Sequence, residues 1–204
     1  MLLEGKANVN AADRLGVTAL HLAAVGGHED VARLLILGHA NIKAQDANGC
    51  APVHFAAVGP NENLVGLLLG DGAAFSGFCA DKENRCAIHW AADAGRLENV
   101  RAIVRAHMRR CLSMKPKAQR GHKALMLNVK DVNEQTPLDL ALKEASNEAH
   151  LETARYLLKH RRSTIGRTQT LCCFSRSPSF EDARIRSALV RSLSELTVYP
   201  SAQK

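Results

Sequence analysis

Apolar positions along the chain come in short helical stripes, set in pairs and separated by glycine-bearing turns. In residues 16–37, Leu20, Ala23 and Ala24 recur at helical spacing, Gly26-Gly27 interrupts them, and Val31, Leu34 and Leu35 resume the stripe. This predicts a tight turn at Gly16, a helix from about Ala19 to Val25, a glycine break, and a second helix from about Glu29 to Leu37. Glu29 and Asp30 stand at the positive end of the second helix, where acidic side chains are favoured. The paired alanines let neighbouring backbones approach closely. One such hairpin has too little apolar surface to fold alone, so its stripe must be covered by another.

The covering partners are further copies. "NGCAPVHFAAVGPNENLVGLLL" (48–69) and "NRCAIHWAADAGRLENVRAIV" (84–104) repeat the same order of residues. Asp13, Asp46, Asp81 and Asp131 each stand five residues before the residue that opens a tetrad. The tetrads carry Thr18, Leu20 and His21; Val53 and His54; Ile88 and His89; and Thr136, Pro137 and Leu138, with Asp139 in the last histidine position. The alanine pairs 23/24, 56/57 and 91/92 fall in register. Before the first aspartate, residues 2–11 match residues 35–44, so the chain is expected to open within the second half of a preceding copy.

A period near 33 with a T-P-L-H-x-A tetrad resembles the ankyrin repeat over about residues 1–160. The resemblance implies an all-α solenoid of stacked helix-turn-helix repeats with short β-turn fingers. It divides the chain into a partial repeat (1–12), repeats at 13–45, 46–80 and 81–130, and a last repeat at 131–162. Residues 163–178 then read as a Ser/Arg-rich linker and 179–199 as one amphipathic helix, with Ile185, Leu189, Leu193 and Leu196 on one face. The chain departs from the family at Ala19 and Ala87, where proline is usual, and at Lys6 and His39, where glycine is usual.

Chemistry adds little to this picture. His21, His54 and His89 invite a metal, but successive layers set them about 10 Å apart, too far to share one ion. Each imidazole is instead expected to tie its turn to backbone groups. Trp90 takes the slot of Leu22, Phe55 and Leu140 and is expected to fill core. His107, Cys111 and His122 lack the spacing of a zinc site. With no GxSxG, HExxH or phosphate loop, no catalytic activity, metal or cofactor is expected. The six cysteines show no paired CxxC spacing, so no disulfide framework is expected either.

Charge does change the picture. The chain of 204 residues has a net charge of +7, but residues 1–98 carry 7 basic and 11 acidic side chains. Residues 99–130 carry 9 basic side chains and no acid. This stretch holds the surplus between the third and fourth aspartates, which reads as a basic insertion at about 107–130 containing Arg109, Arg110, Lys115, Lys117, Arg120 and Lys123. Such a run attracts phosphates or acidic surfaces, or merely stays solvated. In the tail, Ser163 and Ser177 sit in short kinase-like patterns, and Cys172-Cys173 lies in a setting suited to lipidation.

The expected function is therefore non-enzymatic: an adaptor that binds another protein through the fingers and the concave side. The residues just after each aspartate are the contact candidates: Arg14, Leu15 and Val17; Asn48 and Cys50; Lys82, Glu83 and Arg85. Two other readings stand beside it: a regulatory or targeting fragment of a larger ankyrin-containing enzyme or channel, and a peripheral binder of phosphoinositide or nucleic acid through the basic insertion. The chain lacks a membrane-spanning stretch or a secretory signal, so it is expected to be intracellular, in the cytoplasm rather than the nucleus, with peripheral membrane contact through the tail. It is expected to be monomeric by itself.

Overall fold

The computed structural model describes residues 7–70, 79–113, 126–144 and 147–164. Four helical hairpins follow one another: α1 Ala19–Gly26 with α2 Glu29–Leu37, α3 Pro52–Val58 with α4 Glu62–Leu69, α5 Ala87–Asp93 with α6 Leu97–Ser113, and α7 Pro137–Lys143 with α8 Glu148–Thr164. A 3-10 turn, Met126–Asn128, precedes the last of them. First helices pack on first helices (α1 on α3, α3 on α5, α5 on α7) and second helices on second helices (α2 on α4, α4 on α6, α6 on α8). The result is an all-α repeat solenoid two layers deep.

The sequence explains both layers. Ala23, Ala24, Ala56, Ala57, Ala91 and Ala92 are all buried between first helices, where a methyl group is the largest side chain that lets the backbones close up. Leu20, Val53, Ile88 and Leu138 lie beneath them, and Leu35, Leu68, Ile103 and Leu157 fill the matching position of the second helices. These residues form one continuous core, so each hairpin is stabilised by its neighbours, which is how a solenoid gains stability.

Polar side chains fasten one hairpin to the next. Asn61 caps α4, accepting from the backbone N–H groups of Asn63 and Leu64, while its amide donates to the Gly27 carbonyl at the end of α1. Asn99 donates to the carbonyls of Ala57 (2.8 Å) and Gly59 (2.9 Å), and His150 to that of Asp93 (3.0 Å). In each case the start of a second helix satisfies carbonyls left open at the end of the preceding first helix.

The surplus after the third hairpin begins as helix rather than as a loop. Its first residues, 107–113, continue α6, which reaches 17 residues where α2 has 9 and α4 has 8. Residues 97–114 contain no Gly or Pro, so nothing stops the helix where the shorter ones stop. The linker expected from residue 163 begins no earlier than residue 165, since residues 163 and 164 continue α8; its remainder and the expected amphipathic helix lie outside the described residues.

Candidate functional site: the fingers and the first-helix face

Each finger is built on its aspartate. Oδ1 of Asp13 accepts from the backbone N–H of Leu15 (2.8 Å) and Val17 (2.9 Å). Asp46 holds Asn48 and Cys50 in the same way, Asp81 holds Glu83 and Arg85, and Asp131 holds Asn133 and Gln135. An aspartate is needed because one short carboxylate must satisfy two donors of a tight turn. The turn closes through a left-handed residue, Gly16 in the first finger and Gly49 in the second. A Cβ at Gly16 would meet the Asp46 Cα at 3.2 Å, so the neighbouring finger would have to give way, on top of the strain of the positive φ. Asn84 and Glu134 take this conformation in the third and fourth fingers despite their side chains.

The fingers are bonded to one another. The Ala47 N–H donates to the Leu15 carbonyl (2.7 Å), Lys82 to Asn48 (2.9 Å) and Val132 to Glu83 (3.0 Å). Arg14, Leu15, Asn48, Lys82 and Glu83 consequently project from a main-chain ladder, and all five are exposed. Val17 and Arg85 are half-buried. Cys50, expected among the contact residues, is only 2% exposed: its N–H is held by Asp46 and its carbonyl by His21, and burial pushes its thiol up to about 12. It is a packing residue.

The tetrad histidines are buried struts. His54 Nδ1 accepts from the Ala51 N–H (2.9 Å), and its Nε2 donates to the Cys79 carbonyl (2.9 Å). His89 joins Cys86 and Val129 in the same manner, and His21 joins Thr18 and the Cys50 carbonyl. Both ring nitrogens are therefore spent on the backbone, and burial holds the pKa of His54 and His89 below the usual imidazole value. Asp139 reproduces the local half of this arrangement, accepting from the N–H (2.9 Å) and hydroxyl (2.7 Å) of Thr136. The remaining tetrad residues, Leu20, Val53, Ile88, Pro137 and Leu138, are buried.

Trp90 packs against the core, as its slot suggested, but is only half-buried. Of the four residues in that slot, Leu22 is 63% exposed, Phe55 and Trp90 are half-buried, and only Leu140 is buried. The slot faces outward from the first-helix layer, so burial there depends on what the adjoining finger lays across it. Phe55 bridges His21 (centroids 5.5 Å apart) and Trp90 (6.1 Å), giving a row of rings across three hairpins. The Arg85 guanidinium covers Trp90 at 4.8 Å. Oδ2 of Asp81 accepts from both the indole N–H (3.0 Å) and Arg85 Nε (3.1 Å). Burial raises the Asp81 pKa, but the Arg85 backbone N–H, the indole and the guanidinium together hold it below the carboxylate range. No signal in the sequence announced this node; it arises because Asp81, Arg85 and Trp90 share one finger and the helix it leads into.

The other sequence candidates divide between helix ends and undescribed stretches. Arg109 is exposed in α6, Arg110 lies in the last turn of that helix, and Ser163 lies in the last turn of α8. Lys115, Lys117, Arg120, Lys123, Cys172, Cys173 and Ser177 are outside the described residues.

Stacked hairpins with laddered fingers and an outward apolar row define a repeat protein of the binding-module class. Family models described as ankyrin repeats match residues 2–56 (many copies) and 35–111 (three copies), and the chain belongs to the ankyrin-repeat family. A search of curated proteins returned no match to the chain. Ankyrin repeats are in general protein–protein interaction modules, typically without catalytic activity. No helix among the described residues is long and apolar enough to cross a membrane.

Proposed function

We propose that this chain is a non-enzymatic adaptor that holds a protein partner on the concave side, between the finger tips and the outward row of the first helices. The observation that carries the reading is the slot shared by Leu22, Phe55 and Trp90, together with the exposed finger residue Leu15. Leu15 and Leu22 are 62% and 63% exposed, and the row ends at an aromatic ring with an arginine stacked on it. Tryptophan and arginine dominate the energetics of many interfaces, and a rigid row of this kind loses little entropy on binding. Arg14, Asn48, Lys82 and Glu83 supply a polar border to the row.

The test is affinity capture with the wild-type chain and with Leu15→Glu and Leu22→Glu. Both side chains are exposed, so either substitution leaves the fold intact. The partners captured by wild type are expected to be lost with both variants; equal capture by all three chains rejects this face. A second reading, of a fragment that targets or regulates a larger enzyme or channel, uses the same face and differs only in what flanks it.

A further inference from the structure

A different surface has a different chemistry. The helices α6 and α8 pack on each other in the outer layer and are equally long, 17 residues each; with Ile103 level with Leu157, α6 ends about one turn beyond α8. Tyr156 thus stands level with Ala102: the Arg101 guanidinium covers its ring at 5.6 Å, and the charges of both Arg101 and Arg105 reach its hydroxyl. Relative to α2 and α4, α6 continues for about two further turns, roughly 12 Å, and α8 for about one and a half. The two extensions therefore stand side by side. One reads Ala106-His-Met-Arg-Arg-Cys-Leu-Ser113 and the other Leu157-Leu-Lys-His-Arg-Arg-Ser-Thr164; with Ile103 level with Leu157, Arg161 and Arg162 fall level with His107 and Met108, just before Arg109 and Arg110.

The charges in this pair are sorted by position. Acids occupy the beginnings of the helices: Glu98, which binds Arg101 (2.7 Å) and reaches Arg105 at 3.8 Å, and Glu148 and Glu152. The ends hold only cations, Arg109 and Arg110 in one and Lys159, Arg161 and Arg162 in the other. Arg105, Arg109 and Lys159 are exposed. Beyond both helices the sequence stays free of acid, to Lys130 in one direction and to Phe180 in the other. Part of this sorting suits the helix dipole, which favours cations at a C-terminus. The dipole does not account for gathering two such ends together, since like charges on neighbouring helices repel. The cost points to an anionic occupant.

We infer that the paired ends of α6 and α8 form a cationic platform that docks on an anionic phospholipid bilayer. A bilayer rewards several cations in one plane without demanding a particular geometry, at about 1 kcal/mol for each. Single-stranded nucleic acid is less well served, because the two helix ends, residues 106–113 and 157–164, contain no Phe, Tyr or Trp on which bases would stack.

Co-sedimentation of the full chain with phosphatidylcholine vesicles, with and without phosphatidylserine, tests this. Binding is expected only with phosphatidylserine and is expected to weaken as salt is added. The triple variant Arg109→Gln, Arg110→Gln, Lys159→Gln should bind roughly one hundred-fold less. A control that removes the same charge elsewhere, Arg33→Gln, Lys43→Gln, Lys143→Gln, should bind as wild type does. No binding to either vesicle, equal losses in the two triple variants, or tighter binding to duplex DNA or poly-glutamate than to the anionic vesicle overturns the inference. A circular dichroism spectrum of each variant confirms that the helices are present.

Discussion

The indole N–H of Trp90 donates to Oδ2 of Asp81 across 3.0 Å, tying a first helix to the finger that precedes it. The same carboxylate already holds two finger N–H groups and the Arg85 guanidinium. Trp90→Phe keeps a ring under Arg85 but removes the donor. The expected result is a loss of about 1 kcal/mol in urea denaturation, with the mid-transition slope unchanged.

A larger loss is expected at the struts. His89→Ala leaves the buried Cys86 N–H and Val129 carbonyl without their ring partner and opens a cavity in a fully enclosed position. A destabilisation of about 3 kcal/mol should follow, read from the same denaturation experiment. Because His89 Nε2 reaches the segment leading into the fourth hairpin, hydrogen exchange should quicken in α7 as well as in α5.

Acid should unfold the chain through the same residues. Burial lowers the His54 and His89 pKa values below the ordinary 6.5, so the unfolded state takes up protons before the folded state does. Stability from these residues is complete above about pH 6.5 and falls as pH drops from there towards the folded-state values. Thermal melts across this window should show the decline, and His54→Gln should flatten it.

One position offers a gain. His39 adopts φ 63° at the end of the first hairpin, a conformation that costs a side chain of its kind about 1 kcal/mol. His39→Gly removes that strain, partly offset by the greater freedom of glycine when unfolded. A rise in melting temperature of a few degrees is expected; a fall would mean that the imidazole makes contacts outweighing the backbone term.

How far the sequence could be read depended on whether a feature was periodic. The helix predicted at about 29–37 is observed at Glu29–Leu37 because acids at its start and a glycine after it mark both ends locally. The histidine struts were readable because one bonding scheme is repeated three times. The incomplete burial of Trp90 was not, because the four residues in its slot range from buried to open. The burial of Cys50 was hidden for a related reason: position after an aspartate does not reveal which finger residues have their backbone enclosed by the next copy. The lengths of α6 and α8 escaped because a basic run free of apolar periodicity looks like a loop, yet nothing in either run forbids helix.

The ladder from Leu15 through Ala47, Asn48, Lys82, Glu83 and Val132 uses peptide atoms alone. The side chains at the tips are thus spectators to folding, and evolution can rewrite what this edge recognises one residue at a time without touching what holds it up. A laboratory library randomised at Arg14, Leu15, Asn48, Lys82 and Glu83 would inherit the same freedom, with most of its members arriving already folded.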